Sequence, residues 1–292
     1  MKTAIMTDTN SGISVEEGAR LGIFVLPMPV LIDGETYYEG VNLTHENFYR
    51  SQKEGRATST SQPAPSDVTA LWDRALEEYD EVVHIPMSSG LSSSCQTAVS
   101  LSEDYGGRVR VVDNHRISVP QRNSVMDALF LAQSGCSAAE IKAELERIGL
   151  DCVVYIGVDT LEYLKRGGRI TPAVAAMGSI LQLKPLLKIE GERLDACATV
   201  RGREACKRRL LDMMRRSVEE FHRKSWPVCV AAAGSFLTRE DEEGWLAMAA
   251  GAFPEEELRC NPLSLSVGCH TGPGAFGMAV SRRVDGITDR FR

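Results

Sequence analysis

Through the first half of the chain, short apolar runs alternate with amphipathic stretches, and this alternation limits the fold more than any single motif does. Residues 3–7, 25–32, 81–85 and 109–112 have the apolar, β-branched character of strands. Helix signals lie between them: Ser14-x-x-Glu17 and Ser137-x-x-Glu140 are capping-box patterns, and the second opens residues 138–148 with Ile141, Leu145 and Ile148 on one face. Strands alternating with helices predict an α/β unit with a mainly parallel, Rossmann-like sheet. Its binding crevice lies beyond the carboxyl ends of the strands. Asp8, Ser88 to Ser94 and Asp113 fall at such ends.

After Gly149 the pattern changes. Strand-like runs at 152–158, 179–189, 194–200, 228–233 and 263–267 surround one strong helix at 203–222, and Glu190-Gly191-Glu192 reads as a hairpin turn. This is a second α/β unit with a mixed sheet. A chain of 292 residues is at the upper limit for one core, so two domains are expected, 1–150 and 151–292, with a ligand cleft between them.

The net charge of −7 argues against a nucleic-acid binder, which needs a basic surface. The N-terminal Met1–Met6 run meets Asp8 too soon for a signal peptide, and no apolar run approaches the ~20 residues of a membrane span. A cytoplasmic location is therefore expected. Eight cysteines are spread singly, without Cys-x-x-Cys pairs, and read as reduced core residues rather than as disulfides or metal ligands.

Three polar motifs interrupt the apolar pattern. Five serines lie between Ser88 and Ser94, around Gly90, where a strand gives way to a helix whose first turn offers unpaired N–H groups to an anion. Thr58–Pro65 is rich in hydroxyls. The run Gly268-Cys269-His270-Thr271-Gly272-Pro273-Gly274 follows the strand-like 263–267 and is expected to be an irregular loop that presents an imidazole. No nucleotide loop is present, and the serine turn lacks the lysine that a polyphosphate requires, so a carboxylate suits these hydroxyls better. Gly90-Leu91-Ser92-Ser93-Ser94 also partly resembles a nucleophile elbow without its second glycine, which leaves open a hydrolase or acyltransferase using Ser92 and His270 with Asp113 or Asp159. Residues 159–170 read as a short helix ended by glycine, a reading that accounts for all but Arg169. The cluster Arg201, Arg203, Lys207, Arg208, Arg209 is a solvated helix approach or a docking patch.

Taken in order, Thr7-Asp8-Thr9-Asn10, Thr60-Ser61-Gln62-Pro63, Ser88-Ser89-Gly90-Leu91-Ser92, Asp159 to Ile170 and His270-Thr271-Gly272-Pro273-Gly274-Ala275 resemble the DegV family of fatty-acid-binding proteins over the whole chain. The resemblance implies two α/β domains with a long-chain fatty acid between them. It implies a non-catalytic protein without cofactor or metal, which presents its lipid to a dihydroxyacetone-kinase-like fatty acid kinase subunit for acyl-phosphate formation. It places carboxylate ligands on Thr60, Ser92 and His270, with Ser61, Ser93 and Thr271 beside them, and kinase-docking arginines on Arg201 or Arg203, with Arg169 as a further candidate. Transient membrane contact is compatible with such a carrier, and a kinase-independent lipid carrier or sensor is the other binding alternative. The chain departs from the family pattern at Thr9-Asn10, where Ser-Thr is common, and at Ser93 and Cys95, where glycine and an aromatic are common.

Overall fold

The computed structural model describes residues 2–175, 183–189, 194–288 and 291. The chain opens with β1 (Thr3–Asp8), α1 (Val15–Leu21), β2 (Ile23–Leu26), β3 (Pro29–Ile32), β4 (Glu35–Tyr38), α2 (His45–Lys53) and β5 (Thr58–Thr60). There follow α3 (Pro65–Leu76), β6 (Glu81–Ile85), α4 (Ser94–Ser102), β7 (Val109–Val111), α5 (Val119–Gln133) and α6 (Ala138–Arg147). The second half contains β8 (Cys152–Gly157), α7 (Glu162–Gly167), α8 (Pro172–Ala175), β9 (Leu183–Ile189), β10 (Leu194–Arg201) and α9 (Arg203–Arg223). It closes with β11 (Val228–Gly234), α10 (Arg239–Ala252), β12 (Arg259–Pro262), α11 (Leu265–Thr271) and β13 (Phe276–Arg282).

The first sheet, β2-β1-β6-β7, is parallel throughout, as the alternating pattern predicts. Ile5, Val83 and Ile85 pack on one face against Val125 of α5 and Ile141 and Leu145 of α6. Ala4, Met6 and Val82 pack on the other against Val68, Trp72 and Ala98 of α3 and α4. Burial on both faces explains why these strands read as continuous apolar runs. Residues 25–32 are not one strand. The chain turns between Leu26 and Pro29, so that β2 joins the parallel sheet and β3 begins a separate antiparallel sheet, β4-β3-β5. Pro27 and Pro29 supply the break, because neither can donate to a ladder.

The second sheet, β10-β9-β8-β13-β11-β12, is mixed: β11 and β12 run parallel and the other pairs antiparallel. The predicted turn at 190–192 and the start of the predicted strand at 179–182 lie outside the described residues. One sheet face carries Val153, Leu186, Val230 and Val280 against Leu210 and Met214 of α9 and Trp245 of α10. The other, with Ile156, Leu187 and Ala231, packs on Met28, Leu91 and Ile117 of the first half. All eight cysteines are free thiols, and among the described residues no helix is long and apolar enough to cross a membrane.

The backbone crosses from the first half to the second after α6 and returns after β13, where Val284, Ile287 and Phe291 join the first half's core. The two crossings lie side by side. Arg282 N–H donates to the Asp151 carbonyl at 2.9 Å, and the Arg282 guanidinium reaches the Asp151 carboxylate at 3.3 Å. Arg116, only 1% exposed, binds both strands with one nitrogen, Nη2: it donates to Ile148 O at 2.8 Å, Asp151 O at 3.4 Å and Arg282 O at 3.0 Å.

Candidate functional site

Residues 263–267 alternate apolar and polar as a strand would, yet 265–271 form α11, and His270 sits in its last turn rather than in an irregular loop. Ser264 decides the matter locally, since its hydroxyl accepts from Val267 N–H and caps the helix. Packing decides it globally. Leu265 and Cys269 bury against Val30, Ile32, Phe48 and Tyr49, so that α11 of the second half rests on the small antiparallel sheet of the first. Gly268 permits the close approach: a Cβ there would lie 2.7 Å from Tyr49 Oη and 3.1 Å from Phe48. Helix and sheet thus bring His270 Nε2 within 2.9 Å of Thr60 Oγ1, across 210 residues of sequence.

Beside this pair opens a cavity of about 330 Å³ between the halves. Its polar lining includes Thr60, Ser61, Ser92, Ser93, Arg169 and His270, and its apolar lining includes Met28, Leu91, Ile156, Leu194, Ala231 and Met278. This is the size and composition of a small-molecule site with a few fixed polar groups. Val174 and Leu187 are buried beside the cavity's walls. Residues 176–182 lie outside the described residues. Met278 lines the cavity, whereas Phe276 packs toward α9 and α10 with Trp245.

The serine turn is organised before α4 begins. Ser92 Oγ accepts from Ser94 N–H at 3.2 Å and donates to Ser94 Oγ at 3.0 Å, while the N-cap Ser93 makes no side-chain capping bond. Ser93 is exposed and lines the cavity. Behind the turn, the fully buried Asp8 accepts from the backbone N–H of Met87 at 2.8 Å and Asn10 at 2.9 Å, and from Gln121 at 3.2 Å. Burial nevertheless pushes its carboxyl up to about 6.

Asn10 joins the two halves of the site. Its amide nitrogen donates to Met87 Sδ at 2.9 Å, and its carbonyl oxygen accepts from the hydroxyls of Ser264, at 2.8 Å, and Ser266 at the start of α11. The sequence alone gave no reason to select this residue beyond its departure from the family pattern. The structure shows it fixing the serine turn relative to the helix that carries His270.

Burial pushes His270 down to about 4, and the Arg169 charge contributes in the same direction, so the imidazole is neutral at pH 7. Arg169 donates to Leu91 O at 3.2 Å and to Gly167 O, which holds its guanidinium at the cavity wall. Its signal in the sequence was being the one residue left over by a glycine-capped helix; Gly168 does adopt the left-handed cap. Thr271 lines the cavity too, but its hydroxyl is engaged by Ser235 at 3.1 Å and by the Val267 carbonyl at 3.3 Å. Arg203 pairs with Asp159 at 3.0 Å and stacks over Phe276, and Arg201 is exposed at the end of β10. Asp159 is also bound by Lys184 at 3.0 Å, and Asp113 lies 3.9 Å from His115. Neither acid orients His270, and the hydroxyl bonded to its ring is that of Thr60 rather than a serine.

Residues 2–283 match the model of a family described as uncharacterised proteins of the DegV family. A DegV domain-containing protein of Deinococcus radiodurans is 33% identical over 281 residues, covering 96% of this chain and 98% of the relative. Among solved structures, a fatty-acid-binding DegV family protein of Thermus thermophilus superposes with a TM-score of 0.85 at 31% identity, over 97% of this chain and 100% of that one. DegV of Bacillus subtilis, a fatty acid binding protein, gives 0.82 at 27% identity, with the same coverage.

Proposed function

Because the chain belongs to the DegV family, we propose that it binds a long-chain fatty acid in the cavity between its halves and presents it, without itself catalysing a reaction, to a separate ATP-using kinase subunit. The observation that carries this reading is a cavity whose polar groups gather around Thr60, Ser92 and His270 while the rest of its wall is apolar.

A carboxylate entering this end meets the hydroxyls of Thr60, Ser92 and Ser93 and the imidazole of His270. Neutral groups stabilise it by hydrogen bonding, and the Arg169 guanidinium supplies compensating charge. A carboxylate in reach of His270 also favours the charged imidazole, so ligand binding draws a proton onto a ring that burial holds neutral in the free protein. The acyl chain contributes affinity at about 0.8 kcal/mol per buried CH₂ before association costs, and the polar end fixes its direction. The hydrolase reading lacks an observation in its favour, since among the described residues no carboxylate orients His270 and its Nε2 is turned to Thr60.

Two measurements test the proposal. Native mass spectrometry of protein from a bacterial host should show a bound species that, once released, is a long-chain fatty acid. Adding a dihydroxyacetone-kinase-like kinase subunit and ATP to the loaded protein should yield acyl phosphate, with neither protein sufficient alone. A protein that is isolated empty and takes up no added fatty acid overturns the binding claim. Binding without kinase turnover overturns only the presentation claim.

A further inference from the structure

A second cavity, of about 380 Å³, lies on the α9 side of the second sheet and shares Tyr155 with the lining of the first. Its lining carries Lys188 of β9, Arg209 and Arg216 of α9, and Lys224 just beyond that helix, against two carboxylates, Asp151 and Glu220. Both carboxylates already have cations: Asp151 meets Arg282 at 3.3 Å and Glu220 meets Lys224 at 3.5 Å. Arg209 and Arg216 form no ion pair among the described residues, although other charged residues of α9 do, with Lys207 on Glu204 and Arg215 on Asp212. Seven residues apart, they lie two turns along one face of α9, about 10.5 Å in rise, close enough for two long side chains to converge on one small ligand. Between them and the sheet, the hydroxyls of Tyr155 and Ser217, 3.2 Å apart, line the same cleft and add neutral donors.

We propose that this cleft is a binding site for a small phosphate-bearing molecule, held by Arg209 and Arg216 with Lys188 and the Tyr155–Ser217 hydroxyls. Arg209 and Arg216 alone bring two positive charges without an ion-pair partner among the described residues, which matches a phosphate dianion and would overcompensate a carboxylate. Guanidinium groups bind phosphate oxygens in bidentate fashion, and a chain with a net charge of −7 repels phosphate over most of its surface. The cleft is a place where that repulsion is locally reversed.

Isothermal titration of the full chain with inorganic pyrophosphate tests the site, in parallel with flotation on phosphatidylcholine vesicles containing phosphatidic acid. Pyrophosphate is expected to bind, and the double variant Arg209→Gln/Arg216→Gln to weaken binding by about tenfold or more. Arg239→Gln on α10, an exposed arginine paired with Glu243, is expected to leave it unchanged. Fatty acid uptake by the double variant is expected to equal that of the parent chain, which separates this site from the lipid cavity. Flotation that needs the two arginines assigns the phosphate to a lipid headgroup, and pyrophosphate binding without flotation assigns it to a soluble molecule. Absence of both binding and flotation, or equal pyrophosphate affinity in the double variant, overturns the proposal.

Discussion

Gly167→Ala separates the geometry of the site from the stability of the fold. Gly167 ends α7, and a Cβ placed on it would lie 2.1 Å from His270 Nδ1 and 2.8 Å from Cε1. Ordinary contact begins near 3.4 Å, so the imidazole must retreat by about 1.3 Å. The Thr60–His270 contact is 2.9 Å, and a displacement of that size is too large to leave its geometry intact. On the proposed binding mode the variant loses one hydrogen bond to the carboxylate, worth about 1.5–3 kcal/mol for a charged acceptor, or roughly 10- to 150-fold in Kd. Nothing comparable is lost from the fold: Gly167 is not in the left-handed region, and alanine is the better helix former by up to about 1 kcal/mol. Displacement of a fluorescent fatty acid gives the affinity, and thermal unfolding of the ligand-free protein gives the stability. The expected pair is weakened binding with an unchanged or raised Tm. Full affinity in the variant would refute the placement of His270 at the carboxylate, and a lowered Tm would refute the claim that the ring alone yields.

Thr60→Ala should weaken fatty acid binding by roughly tenfold with little effect on unfolding, since it removes one hydroxyl from a half-exposed strand end. Asn10→Ala should act on both, costing about 2–4 kcal/mol in urea unfolding because it leaves the Ser264 and Ser266 hydroxyls and the turn at Met87 without their shared partner. An Asn10→Ala protein of parental stability would contradict its bridging role. His84 is 2% exposed, neither ring nitrogen has a partner among the described residues, and burial pushes it down to about 3. Because this lies below the free value of 6.5, the unfolded chain takes the proton first, and stability falls as pH drops from 6.5 toward 3. At pH 5 His84 should cost about 2 kcal/mol relative to pH 7, so His84→Gln should narrow the gap between urea midpoints at the two pH values. Asp8, raised to about 6, works in the opposite sense but equally in both proteins, and equal gaps would refute the assignment to His84.

The parallel sheet was legible because both its faces are buried, so β1 and β6 carry uninterrupted apolar runs with capped helices between them. The small sheet β4-β3-β5 was not legible, because β4 is half-exposed, β5 has three residues, and β3 merged with β2 across two prolines. The alternation in 263–267 favours a strand by period alone, and only the Ser264 cap and the contact of Gly268 with Tyr49 turn it into a helix. The hydroxyls of the site were visible as polar interruptions. Asn10 was not, since its importance lies in hydroxyls about 255 residues away that no local pattern connects to it.

The paired crossings at Asp151 and Arg282 govern how the halves can move. Two covalent strands tied to each other and to Arg116 cannot lengthen independently, so sliding of one half past the other at this edge strains both. A protease cut in either strand alone leaves the halves joined through the other. The chain behaves there as a two-ply strap.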